Sequence, residues 1–168
     1  MRGLLGQYVP RVYRFALRLT GNRHAAEDLT QDTLLRAWRG RRRLRDPQAA
    51  RVWLFQIAAN LWRDRLRREK RRGNHAELSA DDYQSTATPP EQEASDREDV
   101  GRALAAMDRL PRRQREVLYL HACEELSLKE IAEVLDISPD AVKANLSLAR
   151  KRMRRQLKDI CRDRFPAV

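Results

Sequence analysis

The segment from Leu126 to Met153 constrains the fold most strongly, because it predicts two helices joined by a tight turn. A capping-box pattern opens the first helix at Ser127, and Ser138 followed by Pro139 is typical of the start of the second. Asp136 lies in the turn, where a left-handed backbone conformation is often needed. The apolar residues that would hold the helices at a steep angle are Ile131, Ala132, Leu135, Ile137, Val142 and Leu146. The pattern predicts a helix-turn-helix.

The second helix of this motif carries short polar and basic side chains. Near the start of a helix such side chains can reach base edges in the major groove, and a basic run further along can hold phosphates. A capped helical hairpin with a merely solvated basic face is the alternative. The combination of caps, a small residue at Ala132, the turn and the basic last helix favours DNA binding. The residues that we expect to contact DNA are Lys143, Asn145, Ser147, Arg150 and Lys151.

Composition favours an all-α protein with a polyanionic partner. Leu, Ala and Arg dominate the chain, and runs of β-branched residues are scarce. The chain has 35 Lys and Arg against 24 Asp and Glu, and this net charge of +11 suggests nucleic acid or an anionic membrane surface as the partner. No apolar run approaches the roughly 20 residues that span a bilayer, so we expect no membrane insertion. The two cysteines fit a reducing cytoplasm, although they could pair with each other.

The stretch from about residue 73 to residue 95 differs from the rest of the chain. It contains no Lys or Arg, includes Pro89 and Pro90, and lacks the apolar spacing of a buried face. We therefore predict a flexible acidic linker over residues 73–94. It would join two small helical domains, residues 1–72 and residues 95–168, the second of which contains the helix-turn-helix. Modules of this size can each bury a modest core.

A predicted helix from about Gln48 to Arg72 presents a polar-to-basic stripe opposite a strongly apolar face. Such a stripe can follow a phosphate backbone and hydrogen-bond to bases. It consists of Gln56, Asn60, Arg63, Arg67 and Lys70. The aromatic residues of the same helix could stack on unpaired bases, but aromatic residues at helical spacing are usually core, and we expect core here. These residues are Trp53, Phe55 and Trp62.

The preceding predicted helix, from about His24 to Arg39, has an acidic face although the chain as a whole is basic. Five of its residues share one face: Asp28, Gln31, Asp32, Leu35 and Arg39. An exposed leucine among carboxylates on a basic protein suggests a docking face for a positively charged partner. An ordinary solvated face with one exposed leucine explains the pattern equally well. The residues alone leave both interpretations open.

The sequence has no recognisable Gly-rich phosphate loop, catalytic triad or paired-carboxylate site, so we expect neither catalysis nor a cofactor. His121 and Cys123 could supply two metal ligands, but no nearby residue completes a site at zinc spacing, and we expect no metal. A small helical nuclease is the enzymatic alternative. It would need a metal-binding carboxylate set near the basic groove, and none is recognisable.

Three segments in order resemble motifs of the extracytoplasmic-function (ECF, group IV) sigma factors, the promoter-specificity subunits of bacterial RNA polymerase. Residues 26–38 look like the polymerase-binding helix of that family, and residues 52–60 are similar to its promoter-melting and minus-ten-reading helix. Residues 110–117 and the helix-turn-helix after them resemble the domain that binds the minus-thirty-five element. The resemblance implies a sigma region 2-like domain in residues 1–72 and a region 4-like domain in residues 95–168.

The resemblance also implies roles for particular residues. The clamp helices of the largest polymerase subunit would be bound by Asp28, Gln31, Asp32 and Leu35. Minus-ten DNA would be contacted by Arg43, Arg45, Gln56, Asn60, Arg63 and Arg67. The loop from Arg43 to Ala49, together with Asn60, would help to capture a flipped base of the non-template strand. The upstream element would be read by the helix-turn-helix residues given above.

The chain departs from the family pattern at three positions. Asn145 and Leu148 occupy recognition-helix positions that are frequently basic in the family, and Asp136 replaces the usual glycine of the turn. The family further implies control by a separate anti-sigma factor, and a cytoplasmic protein that such a factor can hold at the membrane. A stand-alone helix-turn-helix regulator, with an N-terminal module that senses a signal or dimerises, is the alternative function.

Overall fold

The computed structural model describes the backbone of residues 5–44, 46–72 and 94–164. Within these ranges every regular element is helical, which confirms the predicted all-α fold. The predicted acidic linker lies outside the described residues except for Ala94, which begins a helix.

The N-terminal module contains three long helices and two short 3-10 turns. Helix α1 spans Val9–Thr20, α2 spans Arg23–Gly40 and α3 spans Ala50–Arg71, with 3-10 turns at Arg41–Arg43 and Pro47–Ala49. Helix α1 ends at Gly21, whose φ of 66° is the left-handed conformation that glycine adopts without a steric penalty. The next residue, Asn22, caps α2, since its side-chain oxygen accepts a hydrogen bond of 3.0 Å from the amide of Ala25.

The C-terminal module contains the predicted helix-turn-helix. Helix α4 spans Ala94–Asp108, α5 spans Arg112–Ala122, α6 spans Leu128–Leu135 and α7 spans Pro139–Arg164. Both halves of the capping box form: the Ser127 amide donates to Glu130 at 2.8 Å, and the Glu130 amide donates to the Ser127 hydroxyl at 3.3 Å. Hydrogen bonding of the Glu130 carboxylate to the Ser127 side chain and backbone lowers the pKa of Glu130. Asp136 adopts φ 53° and ψ 55°, so the turn is left-handed as its position predicted.

The two modules share one hydrophobic core. Phe15 of α1 lies at its centre, with its ring edge-on to Phe55 of α3 at 5.2 Å and stacked on Tyr119 of α5 at 5.9 Å. The sequence predicted two modest cores. The structure joins them through the aromatic face of α1 and α3, which continues into α5, while a smaller buried cluster lies within the N-terminal module alone: Leu5, Val12, Ala37 and Leu54. Phe55 and Trp62 are buried in this core, as expected.

An ion pair that the sequence did not reveal also joins the modules. The Arg18 guanidinium of α1 contacts the Asp108 carboxylate at the end of α4, and both side chains are buried. Arg115 of α5 donates a hydrogen bond of 2.7 Å to the Asp108 carbonyl. Because a buried charge without its partner is costly, this pair favours one arrangement of the two modules over others.

Candidate polymerase and nucleic-acid interfaces

Helix α2 turns its acidic face to solvent. Its opposite face is buried through Leu29, Thr33 and Ala37. The four residues predicted to dock a partner are all exposed: Asp28, Gln31, Asp32 and Leu35. In the described part of the chain, no ion pair involves either aspartate, so both carboxylates are available to a partner.

Sequence reasoning missed a second apolar residue on α2. Trp38 is 37% exposed, one turn beyond Leu35, which is 47% exposed. The guanidinium of Arg41 lies 4.5 Å from the centre of the Trp38 ring. The spacing of three residues between Leu35 and Trp38 was the available signal, because residues three apart on a helix are neighbours on its surface. The exposed apolar area on this helix is therefore larger than one leucine.

The basic stripe of α3 is partly covered by the C-terminal module. The Gln56 amide nitrogen lies 3.5 Å from the carbonyl oxygen of Glu133 in α6, at the limit of a hydrogen bond. Arg63 donates to the Asp136 carboxylate at 3.0 Å, and its second terminal nitrogen contacts the Asn60 side chain. The turn of the helix-turn-helix thus lies against the first half of the stripe.

The remaining minus-ten candidates differ in position. Arg67 lies further along α3 and is exposed, with Asp64 as a loose partner at 3.7 Å. Arg43 is the last residue of the first 3-10 turn, and Arg45 lies outside the described residues. Asp46 caps the second 3-10 turn by accepting a hydrogen bond of 2.8 Å from the amide of Gln48. This cap fixes how the chain enters α3.

Helix α7 is covered on one side only. Val142, Leu146 and Ala149 are buried against the rest of the C-terminal module. Three of the five predicted upstream-reading residues are exposed and, within the described part of the chain, have no partner beyond Asp140, which lies 3.8 Å from Lys143: Lys143, Ser147 and Lys151. The structure places these three on the solvent side of the helix.

The other two candidates on α7 are engaged within the module. Asn145 is half-buried and donates a hydrogen bond of 2.8 Å to the Ala141 carbonyl. Arg150 is exposed, but its guanidinium lies 3.0 Å from Nε2 of His121. Because arginine only donates, Nε2 accepts, and Nδ1 carries the proton that points to the Leu126 carbonyl at 3.3 Å. His121 therefore orients Arg150.

Two buried glutamates lie in the C-terminal module. Burial raises the pKa of Glu116, although Arg113 at 2.9 Å and Arg112 at 3.7 Å oppose the shift. Burial also raises the pKa of Glu124, which accepts a hydrogen bond of 3.2 Å from the Tyr119 hydroxyl. In both cases the loss of hydration outweighs the nearby positive charges.

In the ranges that the structure describes, no group of three or more His, Cys, Asp or Glu side chains is placed to hold a metal ion. His121 is instead used in hydrogen bonding. No described helix is long and apolar enough to cross a membrane.

Both modules match known families. Residues 4–72 match Sigma-70 region 2, and residues 101–153 match Sigma-70 region 4. The ECF RNA polymerase sigma factor SigM of Bacillus subtilis is 32% identical over 148 residues, covering 88% of each chain. The chain belongs to the ECF family of RNA polymerase sigma factors. The resemblance of the three sequence motifs to ECF sigma factors is thereby confirmed.

Other relatives of this ECF sigma factor differ in length. The probable RNA polymerase sigma factor RfaY of Xanthomonas campestris is 35% identical over 87% of the chain, but the chain spans only 37% of RfaY. The chain likewise spans 59% of the ECF sigma factor SigE of Mycolicibacterium smegmatis. Among solved structures, the sigma factor RpoE of Bartonella quintana, in complex with the anti-sigma factor NepR, superposes with a TM-score of 0.74. It is 27% identical and covers 94% of this chain and 96% of RpoE.

Proposed function

We propose that this ECF sigma factor, of the group IV type, binds core RNA polymerase and directs it to promoters in the cytoplasm, while the polymerase supplies the catalysis. Family membership supports this function, and the observation that carries the assignment of surfaces is the distribution of charge. A chain of net charge +11 keeps the carboxylates of α2 exposed and places its basic side chains on α3 and α7. On a cationic protein that binds DNA, an acidic face repels DNA and is complementary to a positively charged protein surface.

The polymerase-binding surface in this proposal consists of Asp28, Gln31, Asp32 and Leu35. Trp38 extends it, because its exposed ring lies on the same side of α2 as Leu35. Carboxylates around an apolar centre match a partner surface that carries positive charge around an apolar pocket.

Promoter DNA would be contacted by both modules, with the predicted domain limits of 1–72 and 95–168. The minus-ten element would be contacted by Arg43, Arg45, Gln56, Asn60, Arg63 and Arg67. The minus-thirty-five element would be contacted by Lys143, Asn145, Ser147, Arg150 and Lys151. In the structure Gln56 and Arg63 are engaged by the helix-turn-helix. The two modules must therefore move apart before α3 can open the duplex.

An anti-sigma factor is the third proposed partner. The solved relative RpoE is held by the anti-sigma factor NepR, and its fold matches this chain over nearly its whole length. By sequestering α2 or holding the modules together, such a partner would keep the chain from the polymerase.

Charge reversal at Asp32 tests the proposal. Asp32→Lys should lower affinity for core polymerase by about tenfold or more in a binding titration, because it places a cation against the positive partner surface. The helical circular dichroism should not change, since Asp32 is exposed. Glu125→Lys is the matched control: it reverses an exposed charge in the turn before Leu126 and should leave affinity unchanged.

Two outcomes would contradict the proposal. Equal affinity of Asp32→Lys and the unaltered chain would remove α2 from the interface. Failure of the unaltered chain to bind core polymerase, combined with sequence-specific DNA binding on its own, would favour the stand-alone regulator. Transcription in vitro with core enzyme on a promoter library would then identify the promoter that the holoenzyme selects.

A further inference from the structure

An exposed leucine lies on the solvent side of the recognition helix α7. Leu148 is 49% exposed, although the nearby apolar residues Val142 and Leu146 of α7 are buried against the module. At 100° per residue, the side of α7 opposite those buried residues carries Ala144, Leu148 and Lys151. Ala144 is also exposed and lies one turn before Leu148, so the two form a short apolar strip.

Positively charged side chains surround this strip. Lys143 and Lys151 lie on the same half of the helix, and the turns that follow expose Arg152, Arg154 and Arg155. Such a surface fits a polyanion better than a second apolar protein surface. The apolar strip therefore lies where a recognition helix enters the major groove, between side chains suited to hold phosphates.

The polar residues of α7 do not all point to that groove. Asn145 is half-buried and donates to the Ala141 carbonyl, so part of its hydrogen-bonding capacity is used within α7. Leu148, by contrast, is exposed on the open side of α7. In the major groove, thymine presents one apolar group, its C5-methyl, and no other unmodified base does. A leucine there gains free energy by covering that methyl group.

We propose that Leu148, supported by Ala144, reads thymine C5-methyl groups in the upstream promoter element. The inference rests on the proposed function, because it takes α7 to be a DNA-reading helix. It adds the chemistry of what is read: a methyl group, recognised by apolar contact and not by a hydrogen bond.

Replacing thymine by deoxyuridine tests this inference, because the exchange removes only the methyl group. The holoenzyme would first select its upstream element from a library, and each thymine of that element would then be exchanged singly in a labelled duplex. At one or two positions, affinity measured by fluorescence anisotropy should fall about fourfold, the ratio expected for losing one buried methyl-sized contact. For Leu148→Ala, thymine and deoxyuridine should bind equally at those positions.

Val100→Ala is the matched control, because Val100 is 52% exposed on α4 of the same module. It should keep the fourfold preference for thymine. An upstream element without thymine, indifference of the unaltered holoenzyme to every exchange, or a preference that survives Leu148→Ala would each overturn the inference while leaving the proposed function standing. Absence of any promoter selection by the holoenzyme would overturn the proposed function itself. Loss of anti-sigma binding by Leu148→Ala, with the thymine preference retained, would assign the residue to protein docking instead.

Discussion

The helices α3 and α7 both carry predicted DNA-reading surfaces, but they differ in what lies against them. On α7 the outward side is open, with Lys143, Ser147 and Lys151 exposed. On α3 the first half of the stripe contacts the helix-turn-helix through Gln56 and Arg63. The free chain thus leaves α7 open and covers part of α3, the helices that the proposed function assigns to upstream recognition and to melting.

Under the proposed function, this difference separates promoter recognition from melting. A covered α3 would open DNA only after the modules separate, whereas an open α7 would need no rearrangement to meet a duplex. Closure is maintained by a shared aromatic core, by the buried pair of Arg18 and Asp108, and by the surface pair of Arg63 and Asp136. These interactions differ in strength. Substitutions that remove one of them at a time should therefore have effects of different size on the contact between the modules.

Removing Asp108 should have the largest effect. Asp108→Ala leaves Arg18 buried without its carboxylate, and breaking a buried pair typically costs about 3–5 kcal/mol. We expect the urea midpoint of unfolding to fall sharply, together with an increase in the radius of gyration in small-angle X-ray scattering as the modules open.

The double variant Arg18→Met with Asp108→Leu is the control. It replaces both charges by apolar side chains of similar size, which is often neutral for stability, so the unfolding midpoint should recover. If Asp108→Ala unfolds at the same urea concentration as the unaltered chain, the buried pair does not hold the modules together.

A smaller effect is expected at Glu124, where α1 meets the C-terminal module. Arg11 of α1 lies 3.9 Å from this buried carboxylate, yet burial raises its pKa in spite of Arg11. A carboxyl whose folded pKa is raised binds its proton more tightly in the folded state, so stability falls as pH rises from the unfolded to the folded pKa. Glu124→Gln should therefore stabilise the chain at neutral pH and flatten this dependence.

Urea unfolding at pH 5 and at pH 7 measures this effect. The gain of Glu124→Gln over the unaltered chain should be larger at pH 7 than at pH 5. Glu116→Gln is the comparison, because the pKa of Glu116 is also raised by burial but its direct partners, Arg112 and Arg113, belong to its own module. A larger gain at pH 5 than at pH 7 would contradict the sign of the Glu124 shift.

Much of the fold could be predicted from local signals. The capping box at Ser127, the left-handed turn at Asp136 and the apolar spacing of α3 each specify a local conformation, and the structure has all three. The helix predicted from Gln48 begins instead as a 3-10 turn at Pro47–Ala49, since the Asp46 cap tightens that entry. Short-range chemistry suffices for such elements because their interactions lie within a few residues.

The joining of the modules could not be predicted in this way. Arg18 and Asp108 are 90 residues apart, and neither has a sequence neighbour that marks it as buried. On α7 the sequence predicted the buried Val142 and Leu146, but it did not predict that Asn145 would be half-buried while Leu148 is exposed, because these two lie on adjacent sides of the helix. Which side of α7 is exposed depends on which of its residues pack against the rest of the C-terminal module.

The smallest effect is expected for the ion pair of Arg63 and Asp136, through which the turn of the helix-turn-helix covers part of α3. Asp136 is 81% exposed at its side chain, so its ion pair with Arg63 is worth about 0.2–1 kcal/mol and is weakened by salt. Asp136→Asn keeps a residue that tolerates φ near 53° and removes the charge. Binding of the full chain to a single-stranded minus-ten oligonucleotide should therefore tighten at low salt, by no more than about fivefold, and this gain should vanish at high salt.

Asp140→Asn is the control: Asp140 pairs with Lys143 at 3.8 Å on α7 itself, so its removal should leave minus-ten binding unchanged. Equal binding by Asp136→Asn and the unaltered chain at low salt would mean that the shared core and the buried pair of Arg18 and Asp108 keep α3 covered, and that opening does not depend on this surface pair.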